Sequence, residues 1–286
     1  MEKFISNVKS TISEFESHLK QLPQLLEYSQ WLDKLYSALD VNEHEGINFT
    51  IQRVQYFYFI ERTREFNDSI MSCLVNEQYT SVETLFRVAL ETTINFMYLI
   101  GEEVNERAGG LLDDYIKNNL KKARKWEKFS IETGDLESAK SAKNLRGSMV
   151  EAQNTFISSK GNRREAWPNA RERFKRTGLE ESYVTLYSSS SDSIHSGAED
   201  IFNLTRVTAF PENIQIVMLR AVHAEKASLS VYYAITFQLH ALEAACKLFT
   251  KLEEGKLLAS AEELASKLHS LREIHENHSV SITGNS

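Results

Sequence analysis

Chain breakers are scarce: 3 prolines and 11 glycines are spread over 286 residues. A fold of many short strands needs turn residues more often, so the scarcity points to long helices. Cysteine is nearly absent. Cys73 and Cys246 stand in apolar helical stretches, with no CxxC pair and no adjacent histidine cluster. That argues against a disulfide-stapled secreted fold and leaves two reduced core residues in a reducing compartment. Long apolar runs are missing too. The greasiest stretch, 227–249, is interrupted by Gln238, His240 and Glu243 and reads as a buried helix rather than a membrane span. The N-terminal stretch has no apolar signal core and no small-residue cleavage site, so a cytoplasmic location is expected. P-loop, GxGxxG, HExxH, GxSxG and EF-hand patterns are all lacking, and no cofactor or metal is expected.

The residues present build helices. Phe4, Ile5, Val8, Ile12, Phe15 and Leu19, then Leu22, Leu25 and Leu26, recur at helical spacing, with Pro23 expected to break or kink the segment into a hairpin. The stretch 51–60 is rich in aromatic and β-branched residues, but no breaker separates it from 61–74, and length favours one helix. Thr80 and Glu83 fit a capping box opening a helix that runs to Gly101. Further helices are expected at 106–132, from Asp135 toward Gly161, from Pro168 to Gly178, at 180–197, 212–253 and 258–275. No linker cuts the chain. The expected architecture is all-α: a single helical bundle with an N-terminal helical hairpin and long C-terminal helices. Its parts are an N-terminal segment 1–46, a bundle domain 47–276 and a disordered tail 277–286.

Charge is uneven. Net charge is −7, yet 117–128 carries six basic residues against one acid, and 160–176 carries seven against two. Such asymmetry marks either two solvated helix surfaces or an anion-binding face. In the second case Lys121, Lys122, Arg124, Arg163 and Arg164 would hold a nucleic-acid backbone, and Trp126 and Trp167 would stack on bases.

Two ladders carry the candidate chemistry. Arg87 and Glu91 lie one turn apart in the apolar run 85–100, and Tyr183, Tyr187, Ser191 and His195 follow each other at four-residue spacing. Residues four apart share a helix face. A charged pair in a greasy helix is costly unless it finds partners, and a stripe of hydroxyls ending in an imidazole is such a partner. Asn95 and Tyr98 extend the first face. His195, with a reference pKa near neutrality, is the natural proton-transfer group. A network of these types serves either a catalytic or ligand site, or the locking of helix register in a bundle core. His269, His275 and His278 cluster in sequence without a fixed acidic or cysteine partner, and no metal site is read from them. Arg272 and His278 match the R-x(4–6)-H spacing of helical ribonucleases, but in a polar stretch beside the tail.

The ordered set Arg87, Glu91, Tyr98, Trp167, Gly178, Tyr183, Tyr187, Ser191, His195 and Ser196 resembles a widespread bacterial, all-helical domain family of unknown function. The likeness covers roughly residues 50–250. It implies a bacterial protein distantly similar to the HEPN helical ribonucleases and to accessory proteins of mobile-element and phage-defence settings. One departure matters: in those ribonucleases the arginine and histidine share one helix, whereas Arg87 and His195 lie on different helices. Two functions therefore stand open. One is a metal-independent ribonuclease or nucleotide-directed effector using Arg87, Glu91, Tyr187, Ser191 and His195. The other is a non-enzymatic helical scaffold. Expected partners are RNA or a nucleotide, and a second copy of the chain.

Overall fold

The structure is a computed structural model describing residues 2–39, 50–101, 104–157, 165–188, 201, 205, 208, 211–249 and 254–283. Among these there is no strand. The helices are α1 (Glu2–Ser37), α2 (Thr50–Val75), α3 (Tyr79–Leu99), α4 (Val104–Glu132), α5 (Leu136–Ala152), α6 (Ala170–Arg176), α7 (Glu180–Ser182), α8 (Glu212–Phe249) and α9 (Glu254–Thr283). The chain is all-α, as its composition requires. No described helix is long and apolar enough to cross a membrane.

The helices form two compact units. One contains Met1–Glu45, Tyr56–Met97 and Ala170–Ser286; the other contains Gly46–Gln55 and Tyr98–Asn169. In the first, α1 packs on α8 and α9. Each presents a seam with alternating three- and four-residue steps. In α1 it is Leu25, Ser29, Leu32 and Tyr36, continued by Leu39 just past the helix end; in α9 it is Leu257, Ala261, Leu264, Leu268 and Leu271. The α8 seam is mostly alanine, with Ala224, Ala227, Ala234, Ala241 and Ala245 buried, which lets neighbouring backbones approach closely. Polar tips tie the seams together. The buried Tyr36 hydroxyl donates to the Gln238 carbonyl at 2.7 Å, and the Trp31 indole to Ser260 Oγ at 3.0 Å. α2 joins through Asn67, which donates to the Ser29 carbonyl at 3.1 Å, and through an Arg64–Asp33 pair at 2.7 Å. Phe59 and Phe96 stack with centroids 6.1 Å apart.

The second unit is built on an α4–α5 hairpin. Gly134 reverses the chain at φ 78°, and the Asp135 carboxylate then accepts from the Ser138 N–H at 3.0 Å, capping α5. Arg146 reaches back to Glu127 at 2.9 Å. Arg107 donates to the Tyr98 carbonyl at 2.8 Å and lies 4.3 Å over its ring.

Several boundaries differ from expectation. Pro23 sits inside α1 without ending it, so the N-terminal hairpin is one uninterrupted helix. Pro23 is exposed, so the carbonyl that lacks its N–H can face water. α3 begins at Tyr79, before Thr80: the Gln78 carbonyl already accepts from the Ser81 and Val82 amides. Thr80 is therefore inside the first turn instead of capping it. α5 ends at Ala152 and continues as a π-helical turn, Gln153–Ile157. α9 runs on to Thr283, through most of the stretch read as a disordered tail.

Candidate functional site

The cluster around Arg87 and Glu91 lies within the first unit and is assembled from three short pieces of chain. α3 supplies Arg87 and Glu91 on one face. α6 supplies Arg173 and Phe174, both buried, at 6% and 0% exposure. A glycine turn at Gly178 (φ 78°) then sends the chain into α7 and a π-helical turn, Tyr183–Tyr187. Widened turns of this kind re-aim side chains and are frequent at functional sites. Here Tyr183 and Tyr187 stack at 5.4 Å, and the Phe174 ring packs 5.3 Å from Tyr187. The phenol is thereby held against α3.

Tyr187 stands between the two residues of the first ladder. Its hydroxyl donates to Glu91 Oε2 at 2.8 Å and accepts from Arg87 Nη2 at 3.3 Å, while the Arg87 guanidinium lies 4.7 Å over the phenol ring. Glu91 Oε1 accepts from Arg173 Nη2 at 3.1 Å. Burial, then the hydrogen bond to Glu91, pushes the Tyr187 hydroxyl up to about 12, so at neutral pH it is a donor. Among the described residues Arg87 forms no ion pair, and its Nε is buried without a hydrogen-bond partner. The sequence-expected Arg87–Glu91 pairing is thus replaced by a phenol-bridged one.

The contact expected between the ladders is present for Arg87, Glu91 and Tyr187. Ser191 and His195 lie outside the described residues, as do Arg163 and Arg164. Tyr98, expected to extend the Arg87–Glu91 face, instead packs on Arg107 and, edge to face, on Trp167 at 5.1 Å. Asn95 keeps a buried Oδ1 without a partner among the described residues. Arg173 is the member that sequence reasoning missed. It was counted in the basic segment 160–176 as surface charge, whereas it is buried on Glu91. A seven-residue helix shows too little periodicity to separate a buried arginine from exposed ones.

In the second unit, Lys121, Lys122 and Arg124 are exposed on α4, and Trp126 is 42% exposed. Trp167 is half-buried against Tyr98, which leaves Trp126 the more accessible ring. An open cleft of about 470 Å³ beside them is lined by Arg124, Lys128 and Arg146 together with Glu127 and Glu132. No group of three or more histidine, cysteine or acidic residues able to hold a metal occurs among the described residues.

No curated protein and no solved structure matches this chain. A family model does match: it covers residues 57–209, more than half the chain and every residue of the Arg87–Tyr187 cluster. The chain belongs to that family, the Family of unknown function (DUF5677).

Proposed function

We propose that the Arg87–Glu91–Arg173–Tyr187 cluster is a phosphate-handling site for RNA, and that the protein is a metal-independent ribonuclease. The observation that carries this reading is that Arg87 has no paired carboxylate among the described residues. Both Glu91 oxygens are engaged, one by Tyr187 and one by Arg173, so Arg87 faces a neutral phenol in place of a carboxylate. A half-buried cation with no counter-charge among the described residues favours an anion beside it.

The chemistry follows from the residue types. His195 takes the proton from a ribose 2′-hydroxyl. The freed oxygen attacks phosphorus, the P–O5′ bond breaks, and the leaving oxygen takes a proton from the imidazolium. The products are a 2′,3′-cyclic phosphate and a 5′-hydroxyl. Arg87 meets the charge that develops on the phosphoryl oxygens, Tyr187 orients Arg87, and Ser191 positions the imidazole. Lys121, Lys122, Arg124, Arg163 and Arg164 hold the backbone, with Trp126 and Trp167 available for stacking. This is the activity that the resemblance to helical ribonucleases implies, in a phage-defence or mobile-element setting.

The test is purified chain incubated with single-stranded RNA in the presence of a chelator, with product ends analysed. Cyclic-phosphate ends from the wild type, lost in both Arg87→Ala and His195→Ala at unchanged helicity, support the reading. No cleavage by the wild type removes it.

A second reading is a helical scaffold whose polar network is structural. It is favoured by the engagement of both Glu91 oxygens inside the cluster, one by Tyr187 and one by the buried Arg173. On this reading Arg87→Ala and His195→Ala both lower the thermal midpoint.

A further inference from the structure

Among the described residues, three helix ends close with one backbone pattern. After α2, α4 and α6, an amide bonds the carbonyl five residues back: Gln78 to Cys73 at 2.9 Å, Asp135 to Ser130 at 2.9 Å, and Leu179 to Phe174 at 2.8 Å. The residue before each adopts a left-handed conformation. Two of these are glycines, Gly134 and Gly178, both at φ 78°. The third is Glu77, at φ 57°. A side chain there carries a steric penalty that glycine avoids. The Glu77 carboxylate accepts from Arg220 Nη2 of α8 at 2.7 Å, but both side chains are more than half exposed, and such a pair contributes little. The ion pair alone is therefore weak compensation for the strain.

The pair borders a cleft. It encloses about 180 Å³ between the start of α3 and α8, lined by Tyr79, Thr80, Leu219 and His223 besides Glu77 and Arg220. His223 lines the cleft, but its Nδ1 is buried. That nitrogen is buried 4.0 Å from Glu83 Oε1, and neither atom has a hydrogen-bond partner among the described residues. Two buried polar atoms left in this state are costly. A proton on Nδ1 relieves both by pairing the ring with Glu83. In the doubly protonated ring Nε2 carries a second N–H, and that cation suits an anion in the cleft that His223 lines. Arg220 offers a fork of donors beside it whenever Glu77 lets go.

We propose that this cleft binds a small oxyanion, a carboxylate or a phosphate, through Arg220 and His223, with Glu77 occupying the arginine until the ligand arrives. Glu83 is a positioning residue that holds the imidazole from behind. An exposed carboxylate suits a placeholder: it engages Arg220 in a pair open to water, which a ligand readily displaces.

The experiment is an NMR titration of the full chain, labelled at histidine ring nitrogens, with inorganic phosphate and separately with acetate at constant ionic strength. The His223 signal is assigned by its loss in His223→Gln. A saturable shift of His223 with either anion is expected, and the anion that produces it identifies the source chemistry. Arg220→Gln abolishes the shift, and Glu77→Gly tightens binding several-fold by removing the competing carboxylate. The proposal is overturned by the absence of a saturable shift in the wild type, by equal affinity in Arg220→Gln, or by unchanged or weaker affinity in Glu77→Gly. Neither RNA nor Arg87 enters this test, so its outcome is independent of the ribonuclease reading.

Discussion

Tyr187 bridges Arg87 and Glu91 by hydrogen bonds and, as a neutral phenol, leaves the arginine's charge uncompensated. Its hydroxyl is held neutral by burial and by donation to Glu91, up to about 12. An acid whose folded value lies above its unfolded value stabilises fully below the unfolded one, near 10, and loses that contribution as pH climbs toward 12. Wild-type stability is therefore expected to fall between pH 10 and 12 by about 1 kcal/mol more than that of Tyr187→Phe, after solvent screening. At neutral pH the substitution should cost about 1 kcal/mol, because half-exposed Glu91 regains water in place of the phenol. Urea unfolding of both proteins across this range checks the point; parallel curves would mean that the phenol is not burdened in the folded state.

At the scale of the element, two glycines inside helices behave oppositely. A Cβ on Gly110 of α4 would sit 1.9 Å from the Glu165 carbonyl oxygen, a backbone atom that cannot swing aside. Gly110→Ala should destabilise by about 1–3 kcal/mol through forced displacement. Gly147, inside α5, has nothing within 4 Å of the equivalent position and is exposed. Gly147→Ala should stabilise by up to about 1 kcal/mol through helix propensity alone. Thermal midpoints moving in opposite directions are the expected result; a drop in both would mean that α5 needs its glycine. The same scale explains the π-helical turn at Tyr183–Tyr187. Its residues satisfy a four-residue ladder, but their aromatic stack against Phe174 decides where the phenol points.

For the whole molecule, charge is the quantity that partners sense. The exposed run Lys117, Lys121, Lys122, Arg124, Lys125 and Lys128 on α4 contrasts with a net charge of −7 for the chain. If RNA lies along it, reversal of Lys121 and Lys122 to glutamate should weaken binding and flatten the dependence of affinity on salt by about two units of slope, because fewer counterions are released. Fluorescence anisotropy with single-stranded RNA at two salt concentrations reads both effects. An unchanged slope would take α4 out of the interface and leave its lysines as solvated surface.

Periodicity and breaker scarcity were enough to determine an all-α chain, because helix formation and the three-to-four spacing of buried seams are local properties. They also identified Arg87, Glu91 and Tyr187 as partners, since a polar stripe on a greasy face must be satisfied by something. Local rules went no further. Whether Pro23 breaks a helix depends on which face of α1 it occupies, and Thr80 fell inside the first turn because α3 begins at Tyr79, with the Gln78 carbonyl accepting from Ser81 and Val82. Arg173 looked like its exposed neighbours Arg171, Lys175 and Arg176, because a basic side chain carries no mark of burial in a short helix. Its place on Glu91, the phenol between Arg87 and Glu91, and the orphaned Glu83–His223 pair were decided only in the tertiary structure. Each joins residues on separate helices, and the energy that selects such partners arises only when the intervening water has been removed.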